Sequence, residues 1–326
     1  MIERINILGA DGKVDRAKWL SLRKRDVTAS VVGALFGTHP YTSALSLYQE
    51  KNGLELPDKT NVRMRRGSRL ERAVAEEVAE KRPDWKIIPA GEYLRDPDLR
   101  LGATPDFYVE GDPRGLGVLQ TKVSTMRAFK AGWQKGGDRQ VDEIVPPFWI
   151  GLQTLTEMML AGATWGAAAV YIDDPWNDDC HICPIARHDG AEARIREAVA
   201  KFWLDVEFGN EPAIDYARDG DLIAALYPEA VPLKSIDLTG DNMLPVILAE
   251  RAELKAQIGA AQDRVIEIDN EVKAKMGDAE IAIVNGFAIT FKTQSRKGYE
   301  VKPTTFRRLN ITETRERETA NGAGPY

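Results

Sequence analysis

From Trp85 to Ser124 the spacing of apolar residues changes character. Three short β-rich stretches, "WKIIPAGEYLRDP", "LGATPDFYVEG" and "GLGVLQTKVS", are separated by Gly, Pro and Asp. Helical patterns flank them. "MRRGSRLERAVAEEVAEKR" sets Leu70, Val74 and Val78 four residues apart, and Pro83 follows. "PPFWIGLQTLTEMMLAG" reads as a helix opened by prolines, and "WGAAAVYIDD" as a buried strand. "DGAEARIREAVAKFWLDVEFGNEP" reads as a helix ended by Gly209 and Pro212. Helix, strand meander, helix, strand, helix is the order of an α/β sandwich with a mixed central sheet flanked by helices.

Ahead of this block, residues 15–50 read as helix, turn, helix. Asp15 is placed to cap "RAKWLSLRKRD", Thr28 or Ser30 to cap "VVGALFG", and Ser43 to cap "ALSLYQEKNG". Behind it, Leu244, Ile247, Leu254, Ile258, Ala261, Val265, Ile268 and Val272 form a heptad-like seam on one long helix between Thr239 and Gly277. Such a stripe needs a neighbouring element or another subunit to cover it. "AEIAIVNGFAITFKTQS" reads as a hairpin about Asn285-Gly286. The charged tail "TETRERETANGAGPY" reads as disordered. The expected division is therefore 1–235, 236–312 with the long helix and hairpin, and a tail at 313–326.

With 326 residues, 43% hydrophobic and 29% charged, the chain is an ordinary globular one. No stretch approaches the ~20 apolar residues of a membrane span. The first residues lack the apolar core of an export signal, and a cytoplasmic location is the expectation. Net charge is −6, so nucleic-acid binding requires positive charge gathered locally. "RKR" at 23–25 and "RMRRGSR" at 63–69 are the candidate clusters; taken alone, each reads first as a solvated helix face.

"GATPDFYV" and "GVLQTKV" place Asp106, Gln120 and Lys122 on adjacent strands. Residues 120 and 122 share a face because side chains alternate along a strand. Thr121 is expected to point away, with its carbonyl available to an ion. Phosphodiester cleavage needs a deprotonated water, neutralisation of phosphorane charge and a stabilised leaving oxygen, all of which carboxylate-held Mg²⁺ supplies. By themselves a Pro-Asp and a Gln-x-Lys also occur on edge hairpins with no such role.

Taken together, the motifs resemble the YqaJ and lambda exonuclease group of phage recombination nucleases, within the PD-(D/E)XK superfamily. "LRKRDVTAS" resembles the segment in which an arginine and a serine hold a DNA 5′-phosphate, here Arg23 and Ser30. "MRRGSRLER" resembles the helix carrying Gly-x-x-x-Glu, here Gly67 and Glu71. "PPFWIGLQTLTEMMLAG" resembles the later helix with its glutamine, Gln153. "KFWLDVEFGNEP" and "FKTQSRKGYEVKPTTFRRL" resemble C-terminal features of YqaJ-type chains, so the likeness spans roughly residues 18–310. It implies that Asp106 binds Mg²⁺ (or Mn²⁺), with Gln120 and the Thr121 carbonyl completing the protein ligands of a site for a pair of ions. Lys122 then positions the attacking water. Glu71 pairs with Lys122 or reaches the second ion, and Gln153 contacts DNA or orients Lys122. The alternatives are a packed-helix ion pair for Glu71, helix-surface polarity for Gln153, and an exposed arginine and a helix cap for Arg23 and Ser30.

The implied activity is 5′→3′ degradation of one strand of linear double-stranded DNA. The 3′ single-stranded tail would pass to a single-strand annealing recombinase. The implied assembly is a ring, trimeric or tetrameric, in a bacterial host. The departure is Gln120, where the family pattern has glutamate. Other branches of the superfamily, such as Mrr-like restriction enzymes, carry Gln-x-Lys and cut. Three readings therefore stand: the exonuclease, an endonuclease of the same superfamily, and a weakened or silent DNA-binding or assembly module.

Other signals are set aside. "CHICPIARH" contains Cys180, His181, Cys183 and His188 but no second cysteine pair, so buried thiols on an edge strand are preferred to zinc. His39, His181 and His188 are read as distant from the site, against a histidine-based mechanism. No Gly-x-x-x-x-Gly-Lys-[Ser/Thr] loop occurs, so an ATP-driven helicase is not supported. Trp133, Trp149 and Trp165 are read as core residues in preference to base-stacking platforms.

Overall fold

The computed structural model describes residues 1–54, 62–135, 144–174, 179–295, 298, 308, 309 and 311. The expected tail at 313–326 and most of "RKGYEVKPTTFRRL" lie outside them. The chain divides into two compact units, residues 1–226 and 227–326.

The first unit opens with β1 (Glu3–Asn6) and α1 (Arg16–Arg25). Asp15 caps α1 by accepting the Lys18 N–H at 3.1 Å. β2 (Val27–Thr28), a 3₁₀ turn at Ala29–Val31, α2 (Val32–Leu35) and α3 (Ala44–Lys51) follow. Ser43 caps α3, as expected. Thr28 does not cap the helical turn beside it; its hydroxyl is hydrogen-bonded to Ser30 instead.

Next come α4 (Val62–Lys81) and the strands β3 (Lys86–Pro89), β4 (Glu92–Asp96), β5 (Leu101–Ala103), β6 (Phe107–Glu110) and β7 (Gly117–Ser124). α5 (Met126–Gly132) and the short pair β8 (Gln134–Lys135) and β9 (Ile144–Val145) lead into α6 (Phe148–Ala161). β10 (Trp165–Ile172), β11 (Asp179–Ala186), α7 (Asp189–Phe208) and α8 (Gly220–Leu226) complete the unit. α6 and α7 both end on a glycine in the left-handed region, Gly162 and Gly209, where a side chain would be strained.

The meander is not one sheet. The central sheet runs β11-β10-β7-β6-β3, and a second sheet runs β1-β4-β5-β2. Each of the first two β-rich stretches changes sheet part-way: at Ala90-Gly91 between β3 and β4, and at Thr104-Pro105-Asp106 between β5 and β6. β7 is parallel to β10 over eight residue pairs and antiparallel to β6 over only three, Phe107↔Leu119 to Val109↔Gly117. The central sheet is therefore mixed, and the β6-side edge of β7 is released by β6 from Gln120 onward.

Alternation along β7 and β10 sorts the two faces. Leu119, Ala167 and Ala169 pack with Val74 and Val78 of α4. Val118 packs with Leu152, Leu155 and Met158 of α6. Eleven of the fourteen residues of α6 are buried. At roughly 1.5–3 kcal/mol for each large apolar side chain, this face fixes the helix across the sheet. Gly117 must lack a side chain, because a Cβ there would come within 2.4 Å of the Trp165 ring.

The second sheet rests on a buried polar knot. Asp26, fully buried, accepts Arg95 Nε at 3.0 and 2.9 Å and the Tyr93 hydroxyl at 3.1 Å. Asp26 is also the C-terminal cap of α1, its N–H bonded to the Arg23 carbonyl. The knot therefore fixes the end of the helix that carries Arg23.

The second unit holds α9 (Leu244–Met276) and the hairpin β12 (Ile281–Val284) and β13 (Phe287–Thr290), with Gly286 in the left-handed turn position. Leu254, Ile258, Val265 and Ile268 of the expected seam are exposed. Among the described residues, no helix is long and apolar enough to cross a membrane.

Candidate active site

Asp106 sits where β6 leaves β7. Its Oδ2 accepts the Thr121 backbone N–H at 2.8 Å, the Thr121 hydroxyl at 2.9 Å and the Gln120 side-chain amide at 2.5 Å. The carboxylate takes a ladder donor just past the last β6–β7 pair. Because it lies at the strand edge, neighbours from both faces of β7 reach it. Thr121 was expected to point away; its hydroxyl instead turns onto Asp106. Burial raises the Asp106 pKa, against the lowering effects of Lys122 and these three donors.

α6 supplies the next layer. Gln153, buried, donates its amide to Gln120 Oε1 at 2.9 Å and to Glu157 Oε1 at 2.9 Å. Gln153 thus fixes Gln120 through the bonds it makes, where the sequence suggested DNA or Lys122. Gln120 in turn shows its nitrogen to Asp106 and its oxygen to Gln153. Glu157 was not singled out from the sequence. Burial, then the charge of Asp106, holds its pKa well above the carboxylate range. The available signal was a glutamate one turn after Gln153 inside an otherwise apolar helix.

Lys122 emerges on the face of Gln120, with its ammonium 5.8 Å from the centre of the Trp149 ring. Glu71 faces the group from α4. Burial and the nearby Asp106 charge push its pKa up to about 7, while a hydrogen bond with Ser68 and the charge of Lys122 pull it down. One turn earlier on α4, Arg65, Arg66, Arg69 and Leu70 line a cavity of about 450 Å³. Arg66 is ion-paired with Asp173, while Arg65 and Arg69 are exposed.

Arg23 and Ser30 form a separate pair. An Arg23 guanidinium nitrogen donates to the Ser30 hydroxyl at 3.1 Å, and Thr28 shares that hydroxyl at 3.1 Å. Burial lowers the Arg23 pKa, the Trp19 ring lies 4.5 Å beneath its guanidinium, and Lys51 donates to its carbonyl. The Lys51 pKa is likewise lowered, first by burial. Arg23 and Lys51 are thus two partly desolvated cations, Arg23 bonded to the Ser30 hydroxyl and Lys51 to the Arg23 carbonyl and the Glu50 carboxylate.

The reading of His39 as distant from the site needs correction. His39 lies beside the site: it hydrogen-bonds the Ser30 backbone, packs edge-on against Trp149 with ring centres 5.4 Å apart, and feels the charge of Lys122. Packing of α2 against α6 brings it there across more than a hundred residues of sequence. Its Nδ1 accepts the backbone N–H groups of Tyr41 and Thr42. Burial first, then Arg218, lowers its pKa to about 4, which makes it a neutral bracket between Ser30 and Lys122. Trp149 is half-buried; Trp133 and Trp165 are core residues. Cys180 and Cys183 are buried in the edge strand β11, in different core clusters on its two faces, so they do not converge on one ion.

Among the described residues, no cluster of three or more His, Cys, Asp or Glu side chains is disposed as a ready-made metal cage. The chemistry of the pocket still suits a hard divalent cation. Its donors are oxygens, and Glu71, Asp106 and Glu157 carry raised pKa values. The charge of Asp106 is a cause of the shifts of Glu71 and Glu157, and one Glu157 oxygen has no partner.

Residues 18–164 match the model of the YqaJ-like viral recombinase domain. The uncharacterized protein YqaJ of Bacillus subtilis (strain 168) is 25% identical over 299 residues, covering 89% of this chain and 87% of that protein. Among solved structures, an alkaline exonuclease from Laribacter hongkongensis is 22% identical, with 59% of this chain and 93% of that chain covered at a TM-score of 0.44. The same exonuclease in complex with dAMP gives 21% identity and the same coverage and score.

Proposed function

For a chain whose residues 18–164 resemble the YqaJ-like viral recombinase domain, we propose metal-dependent exonucleolytic cleavage of DNA. The observation that carries this reading is Asp106, held at the open edge of β7 by Gln120 and Thr121, with Lys122 and Glu71 turned to the same place. Asp106 would hold Mg²⁺ or Mn²⁺ with the Thr121 carbonyl, Gln120 would add its amide oxygen by turning that oxygen from Gln153 toward Asp106, and Glu71 would face a second ion. Bound there, the cations supply an activated water and neutralise charge on the phosphate. Lys122 orients the water. Its oxygen adds to phosphorus, the P–O3′ bond breaks, the 3′ oxygen takes up a proton, and a 5′-mononucleotide leaves. Arg23 and Ser30 grip the terminal 5′-phosphate, which gives the 5′→3′ direction. Arg65 and Arg69 lie where they can neutralise backbone phosphates.

The physiological product in this reading is a duplex with a 3′ single-stranded tail, taken up by a strand-annealing recombinase. A ring of three or four copies would keep the enzyme on its strand. A net charge of −6 suits basic residues confined to one lined path. A second reading, a silent DNA-binding or assembly module, is favoured by one feature, the uncharged Gln120.

The test uses three DNAs with Mg²⁺: a linear 5′-phosphorylated duplex, the same duplex with 5′-hydroxyls, and a closed circle. Mononucleotide release from the first, slower release from the second, none from the circle and none in EDTA is expected. Linearisation of the circle replaces this reading with an endonuclease. Binding of ends without cleavage replaces it with the silent module.

A further inference from the structure

Glu157 is 1% exposed, and its Oε2 has no hydrogen-bond partner among the described residues. A buried carboxylate costs several kcal/mol unless it is paired. Neither protonation state removes the cost here. The ionised form lacks a paired cation, and a proton on Oε2 finds no acceptor. Methionine or leucine at this turn of α6 would fill the same space at no such cost, so packing alone does not account for the residue. Among the described residues its carboxylate accepts one hydrogen bond, from Gln153, whose amide also bonds Gln120, the position that brings no charge to the pocket. With Glu71 and Asp106 it makes three carboxylates within electrostatic reach of Lys122, an excess of two negative charges when all are ionised.

We infer that Glu157 supplies the negative charge of the divalent-cation site that position 120 lacks: strand β7 contributes the neutral amide, helix α6 contributes the carboxylate, and Gln153 joins them. The inference rests on the reading of Asp106 as the ligand at the centre of that site. It makes Gln120 a relocation of charge within the pocket, compatible with an active enzyme.

The test measures Mn²⁺ binding to the full chain without DNA, from the electron paramagnetic resonance signal of free Mn²⁺. Folding is checked by circular dichroism and melting in EDTA. Asp106→Asn abolishes binding, Glu157→Gln weakens it by about tenfold or more, and the exchange Gln120→Glu/Glu157→Gln restores wild-type affinity. A packing defect caused by glutamine at 157 persists in the exchange variant, so failure of the exchange to restore binding overturns the inference. Unchanged affinity in Glu157→Gln, with Asp106→Asn still abolishing binding, overturns the inference and leaves the Asp106 site standing. Unchanged binding in Asp106→Asn removes that site and the inference with it.

Discussion

Gln120→Glu alone probes the pocket before any substrate is added. In the wild type an amide nitrogen lies 2.5 Å from Asp106 Oδ2. The substitution puts a carboxylate oxygen there, while its other oxygen still accepts from Gln153. Two ionised oxygens cannot share that spacing, so the pair keeps one proton, as carboxylate dyads do. In the unfolded chain both groups are ionised above about pH 5. The folded pKa is raised, so the pair's full stability is present below the unfolded value and is lost as pH rises. Retaining a proton costs about 1.4 kcal/mol per pH unit above ~4.3, which bounds the penalty at roughly 5 kcal/mol at pH 8. Relaxation of the pair and entry of water bring the penalty below this bound. At pH 5 the neutral acid donates to Asp106 as the amide did, and the penalty falls below about 1 kcal/mol. Urea unfolding of both proteins at pH 5 and pH 8, in EDTA and in Mg²⁺, measures the difference. A divalent cation replaces the proton, so Mg²⁺ at pH 8 stabilises the variant more than the wild type. Equal stabilities at pH 8 in EDTA would refute the geometry of the Asp106–Gln120 contact, and equal Mg²⁺ shifts would refute its role in holding a cation.

Three other perturbations act away from the Asp106–Gln120 contact. His39, lowered to about 4, contributes stability present above its unfolded pKa near 6.5 and lost as pH falls toward 4; about 2 kcal/mol goes between pH 7 and pH 5, and His39→Asn flattens that limb of the urea-derived stability profile. Replacing Arg65 and Arg69 together by glutamine lowers the salt slope of duplex binding by up to ~2, one phosphate contact each, as read by fluorescence anisotropy across salt concentrations. Asp26→Ala strands Arg95 beside only a 3.4 Å contact with Glu3 and lowers stability by about 3 kcal/mol in denaturant titration.

The helices and the central strands were legible because burial imposes its period on the sequence. Val74 and Val78 mark the inner face of α4, and the near-continuous apolar run of β10 marks a strand covered on both sides. Sheet membership was not legible. Period 2 looks the same in β3 and β4, and nothing local says that they pair with different partners. That division places Asp106 at the fork and lets Thr121 reach it. Glu71, Asp106, Gln120, Lys122 and Gln153 were named from motifs, and the fold gathers them from two helices and a strand edge. His39 was misplaced because its neighbours come from α2–α6 packing, a contact with no sequence period. Glu157 was passed over because a single acid in an apolar helix carries no motif, although its spacing of four from Gln153 put both on one face.

Cutting of DNA by the pocket around Asp106 and Lys122 is read from the release of labelled mononucleotide from a 5′-labelled linear duplex in Mg²⁺ by the wild type and by Lys122→Ala, both shown to be folded. Loss of about a hundredfold or more in rate, with end binding retained, is the predicted result. Release at the wild-type rate by Lys122→Ala would contradict it.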